Sequence, residues 1–121
     1  YDAPLTARIW HENKLSWDST LYYADEPGFR CGVCYEFPVF DFIHSKILSL
    51  KQKPLILMEA TLLDYKKLSD SEIIDRFSYF KKKVEKYKGE FVVLWHNSSF
   101  SIGPYKNCKK IYKQILSNAS K

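Results

Sequence analysis

The sequence predicts an α/β fold with parallel strands, ordered strand–helix–strand–helix (βαβα) over its second half. Three observations carry this. Residues 54–63, Pro-Leu-Ile-Leu-Met-Glu-Ala-Thr-Leu-Leu, and residues 91–95, Phe-Val-Val-Leu-Trp, are apolar without alternation, as in strands buried on both faces. Between them, Ile73, Phe77, Phe80, Val84 and Tyr87 recur at spacings of four and three, one buried helical stripe. Two strands joined by a crossover helix run parallel, with a right-handed connection.

In chain order, residues 1–14 predict a short helix with Leu5, Ile9 and Trp10 inward and Asn13-Lys14 at its end. His11 beside Trp10 reads as a surface histidine. Residues 15–21 alternate apolar and polar, a short strand with Asp18 near its end, where an aspartate can also bond turn amides. Asp25-Glu26-Pro27-Gly28 marks a loop. Residues 29–37 read as extended, Pro38 confines that segment to an edge or irregular strand, and residues 39–43 continue it. Residues 44–53 read as a polar, leucine-containing linker that can include a helical turn.

Ser69-Asp70-Ser71-Glu72 is a capping box that opens the long helix. Asp70 and Glu72 suit its positive end, Lys83, Lys86 and Lys88 its negative end, and Gly89 supplies the stop. Pro104 fits the first turn of a last helix, with Tyr105, Cys108, Ile111 or Tyr112, and Ile115 inward.

The chain has 121 residues, enough for one core, and residues 1–121 read as a single domain. Position 1 is Tyr, so the expectation is a processed product, an excised piece or an incomplete frame. No apolar run is long enough to span a bilayer, and no signal peptide opens the sequence. Net charge is +5, but the lysines fall mainly on the two predicted helices and no nucleic-acid motif accompanies them, so no nucleic-acid partner is expected. Three cysteines do not suggest a disulfide framework. Cys31 and Cys34 have C-x-x-C spacing, yet zinc needs a second pair and a redox pair should open a helix.

Two positions attract chemistry. The strand at 91–95 ends in His96-Asn97-Ser98, and in α/β folds ligands bind just beyond the carboxyl ends of strands. A core strand whose polar end bonds a neighbouring loop accounts for the same residues. Glu59 enters an apolar strand, where a carboxylate is costly without a partner, so it meets a polar pocket or a basic group near the strand-end face of His96.

Three stretches together, Trp17-Asp18-Ser19-Thr20-Leu21 with Gly28-Phe29-Arg30-Cys31-Gly32, Leu57-Met58-Glu59-Ala60-Thr61-Leu62, and Leu94-Trp95-His96-Asn97-Ser98, resemble the C-terminal half of the polysaccharide deacetylase family, the NodB-homology carbohydrate esterases, in a bacterial branch. The resemblance covers nearly the whole chain. It implies the C-terminal part of a distorted (β/α) barrel and hydrolysis of acetyl groups from a polysaccharide or oligosaccharide. It also implies a divalent metal, zinc or similar, in the full-length enzyme. His96 would be the general acid, Asp18 and Arg30 would orient the acid and base, and Trp95 and Leu94 would wall the acetyl pocket. Glu59 is placed at the substrate-binding face without a family role. The family's T-F-D-D type motif and H-x-x-x-H pair are absent, so no metal is expected on this chain alone. The missing N-terminal half of the domain, or a partner chain, would complete the barrel. The alternative reading is a non-catalytic glycan- or protein-binding module. The compartment is left open between cytoplasm and cell envelope.

Overall fold

The computed structural model describes residues 1–101 and 107–119. The chain is mixed α/β with small pieces of parallel sheet. A three-stranded sheet carries the first half and a two-stranded parallel sheet the second.

Helix α1 spans Leu5–Glu12 and stops where expected: the Asn13 side chain and backbone N–H both donate to the Ile9 carbonyl, at 2.8 and 3.0 Å. Its inward face differs from the expected stripe. Ala7 is buried against Leu48 and Leu50 with Trp10 alongside, while Leu5 and Ile9 are exposed. A small side chain lets the helix approach the sheet closely, which a Leu-faced contact would prevent.

Strand β1 is only Trp17–Asp18, shorter than residues 15–21, because it pairs only with Lys51 and Gln52 of β3. Strands β2 (Phe37–Asp41) and β3 (Lys46–Gln52) form an antiparallel hairpin. Pro38 is accommodated beside a register shift between Pro38 and Phe40. Strand β3 replaces the linker expected over 44–53. Leu48, Leu50 and Gln52 point inward and Ile47, Ser49 and Lys51 outward, a period of two that flanking polar residues disguise.

Asp41 locks this half. Its side chain is buried, Oδ2 accepts from His44 Nδ1 at 2.9 Å and Arg8 Nε at 3.2 Å, and Oδ1 accepts from the Ile43 and His44 amides. The His44 hydrogen bond is the main reason its carboxyl sits well below the usual carboxylate range; the amides and Arg8 add to this, and burial opposes it.

Strand β4 (Leu55–Met58) is buried almost throughout and ends before residue 63: the chain turns helical at Glu59 and runs through a π-helix at Thr61–Tyr65. Helix α2 (Asp70–Lys86) has the expected capping box, with Ser69 N donating to Glu72 Oε2 at 2.8 Å and Ser69 Oγ accepting from Glu72 N. Ile73, Phe77, Phe80 and Val84 are buried, but Tyr87 is exposed because the helix has ended beneath it. The left-handed residue after the helix is Lys88, with φ of 53°, not Gly89. Gly89 is needed for close approach instead: a Cβ there would lie 2.3 Å from both the Cys34 carbonyl oxygen and its Sγ.

Strand β5 (Val92–Leu94) pairs parallel with β4, Leu55 opposite Val92 and Met58 opposite Leu94. It is not buried on both faces. Among the described residues it has a strand neighbour on one side only, and its side chains are partly exposed. Helix α3 (Cys108–Ala119) buries Cys108, Ile111 and Ile115 in the same core as α2. Pro104 and Tyr105 lie outside the described residues. No helix among the described residues is long and apolar enough to cross a membrane.

Two outcomes follow. Gly89→Ala is expected to lower the unfolding free energy by about 3 kcal/mol, read by urea denaturation, because the obstacle includes backbone. A folded-state pKa depressed at Asp41 contributes stability above the unfolded-state value, about 4, and loses it as pH falls below that toward the native value. Asp41→Asn is therefore expected to reduce thermal stability at neutral pH and to flatten its decline below about pH 4. Glu36 and Glu72, whose carboxyls are also held low by Lys51 and Ser69, leave a residual slope.

Candidate functional site

Because β4 and β5 run parallel with Met58 opposite Leu94, the residues just past both strands meet at one end. Glu59 leaves β4 and His96 leaves β5 there. Glu59 is 1 % exposed, whereas 45 % of the His96 side chain is exposed. Three donors converge on Glu59 Oε1: the His96 backbone N–H at 2.9 Å, His96 Nδ1 at 2.6 Å and Ser99 Oγ at 2.8 Å. Glu59 Oε2 is buried without a protein partner. A carboxylate only accepts, so Nδ1 carries a proton and Nε2 is the free position of the ring. Among the described residues Nε2 has no partner, and the ring can exchange a proton there with a bound molecule. Ser99 sits on a short 3₁₀-helix, Asn97–Phe100, that folds the polar cluster back over Glu59.

Trp95 supports this end from below. Its ring stacks on Phe100 at 6.4 Å and meets Tyr112 at 5.1 Å. Its Nε1 is buried and lacks a partner at hydrogen-bonding geometry, though it lies close enough to Cys108 to favour the thiolate. Burial dominates at that thiol and raises it. Trp95 is therefore a core-facing support, while Leu94 faces out. Leu94 lines an open depression with Ser19, Thr20, Tyr22, Leu55 and Met58, so the first and last of the three motif stretches share a surface.

Asp18 and Arg30 stand apart from the Glu59–His96 contact. Asp18 Oδ1 accepts from the Thr20 amide at 2.9 Å and from the Thr20 hydroxyl, the arrangement of a turn aspartate. Its Oδ2 is buried without a partner. Arg30 donates to the Tyr22 carbonyl at 2.7 Å and lies over the Tyr23 ring. The two share one neighbour, Cys31, whose thiol is raised first by burial; Arg30 pulls it down and Asp18 pushes it up.

Two participants escaped the sequence reading. Ser99 is the third donor to Glu59; its position one residue beyond Asn97-Ser98 was the available signal. Tyr22 bridges the loop to the β4 end, its hydroxyl donating to Thr61 Oγ1 at 3.0 Å and accepting from Met58 N at 3.3 Å. Thr61 in turn donates to the Ala24 carbonyl at 2.7 Å.

The histidines are dispersed: His11 contacts Ser49, His44 contacts Asp41 and His96 contacts Glu59. Among the described residues no three His, Cys, Asp or Glu side chains converge as a metal site requires. No protein-family model, curated protein or solved structure matches this chain.

Glu59→Ala would strand three donors around a buried hole. The expected cost is about 3 kcal/mol in urea denaturation, with loss of the hydrogen-bonded His96 Nδ1 proton signal by NMR.

Proposed function

We propose that this chain is the C-terminal, proton-delivering part of a polysaccharide deacetylase, with His96 as general acid. The observation that carries the reading is the Glu59–His96 hydrogen bond at the shared end of two parallel strands. A general acid needs an imidazole held in one orientation with one nitrogen free toward the substrate. A buried carboxylate on Nδ1 meets that need, and Ser99 and the His96 amide keep the carboxylate from rotating. Glu59 thereby gains a role as the residue that positions His96.

In the proposed step, water has added to the acetyl carbonyl of an N-acetyl sugar. His96, carrying a proton on both ring nitrogens, gives the Nε2 proton to the sugar nitrogen as the C–N bond breaks; the departing acetic acid cation returns one proton to Nε2 and loses the other to water, leaving acetate and a free amine. Leu94 and the depression it shares with Thr20 and Tyr22 would hold the acetyl group or its sugar. Asp18 and Arg30 would act at one remove, through the 18–31 loop. The described residues of this chain do not fit the divalent metal centre of the resembled enzymes. A distorted barrel would require further strands beside β5, from the rest of such a domain or a partner chain.

A second reading, a glycan-binding module without catalysis, draws on the exposed rings of Trp17 and Tyr23. The two separate in acetate release from N-acetylated oligosaccharides by the longest natural form of the protein. His96→Ala should lose about a hundredfold to ten-thousandfold in kcat. Glu59→Gln should lose less and shift the pH profile, with KM little changed in both. Undiminished turnover in His96→Ala would sink the acid role. Saturable saccharide binding with no acetate release by the wild type would favour the module.

A further inference from the structure

We propose that the tip of the β2–β3 hairpin and the basic groove beside it dock on an anionic lipid surface. The tip carries an unusual concentration of bare apolar side chains: Phe42 is 79 % exposed, Ile43 66 % and Ile47 68 %. Phe40, opposite Ile47 in the hairpin, is also exposed, and its ring meets that of Phe42 edge-on at 5.2 Å. Scattered apolar residues on a surface need no explanation, but four at one end of a hairpin do.

The shape of this patch is convex. Residues 42–45 form the turn itself, with Ser45 in the left-handed region at φ of 49°. A protruding apolar knob suits a soft medium that yields around it. Main-chain donors are the usual obstacle to such insertion, since a bare amide is costly in a medium of low polarity. Here Asp41 Oδ1 accepts the Ile43 and His44 amides at 2.9 and 3.2 Å, so those donors are already satisfied.

Behind the knob lies an open groove lined by Arg8, Lys14, Lys46, Ser49 and Lys51. Lys46 belongs to both features, being the first residue of β3 and the neighbour of Ile47. Lys51 pairs with Glu36 and Arg8 with Asp41, but Lys14 and Lys46 have no acidic partner among the described residues. Even with Glu12 and Glu36 on its wall, the groove is cationic. Anionic headgroups complement that charge while the knob enters the interface, and two weak signals together give stable, reversible attachment. The other occupants fit less well. A second copy would bring two cationic grooves together, and a nucleic acid would leave the apolar knob in water.

The test is co-sedimentation of the whole chain with vesicles of phosphatidylcholine mixed with phosphatidylglycerol, against phosphatidylcholine alone. The protein should pellet with the mixed vesicles only and be released by high salt. F42E/I43E should lose binding at least about a hundredfold; both side chains are exposed, and circular dichroism checks that the variant is folded. K14E/K46E should lose about thirtyfold or more and show a flatter salt dependence, from roughly 1 kcal/mol per basic residue. Absence of pelleting, equal recovery on both vesicles, or undiminished binding by F42E/I43E overturns the proposal. So does a concentration-dependent dimer in sedimentation velocity that the same variant abolishes, which would assign the knob to a second copy.

Discussion

The second half of this chain is arranged around a carboxylate that water cannot reach. Burying Glu59 would be prohibitive without compensation, since an unpaired ionised group in a low-dielectric interior costs far more than a domain's margin of stability. Compensation comes from a single short segment, residues 96–99, which supplies an amide, a ring nitrogen and a hydroxyl to one oxygen. That requirement constrains much else. It demands that β4 and β5 end together, which parallel pairing over α2 achieves, and that the chain turn at once into a 3₁₀-helix. It also fixes His96 at the boundary between core and solvent.

The first half solves the same problem with different chemistry. Asp41 is as deeply buried as Glu59 and likewise meets a histidine, His44, but it adds the Arg8 guanidinium and two turn amides where Glu59 has one amide and a hydroxyl. There the carboxylate ties a helix to a hairpin. At Glu59 it ties one strand end to another and leaves a ring nitrogen free. The halves are joined directly, β3 passing through Lys53 and the buried Pro54 into β4, with the Lys53 amide donating to the Asp18 carbonyl at 2.7 Å.

What the sequence made legible follows from how local the cause is. The capping box and the α2 stripe are decided within a few residues, and both stand in the structure. That Glu59 and His96 share one strand-end face was legible, because a carboxylate in an apolar run must find a partner and the strand-end rule left few places for it; that they bond each other directly was not. Strand β3 was not legible. Its buried face is only Leu48, Leu50 and Gln52, and the sheet that makes those positions interior comes from distant residues. Strand β5 looked fully buried because its composition is that of a core strand, whereas burial depends on neighbours the sequence does not name. Tyr87 fits the helical period but falls past the point where the helix stops. Asp18 and Arg30 were grouped with His96 by motif order; in the fold Asp18 bonds Thr20, and Arg30 bonds the Tyr22 carbonyl and lies over Tyr23.

The contact between Gly89 and Cys34 seals one of three free thiols that differ in access to solvent. Cys31 is partly open to solvent, whereas Cys34, pressed by the chain leaving α2, and Cys108, the first residue of α3, are both buried in one core. A thiol reagent therefore meets them in an order set by how much of the molecule must open first. Labelling at Cys31 is expected in the closed fold, whereas Cys34 requires the segment at Gly89 to lift and Cys108 requires α3 to loosen from the core. The unmodified chain thus carries its own clock for the sequence in which its parts come undone.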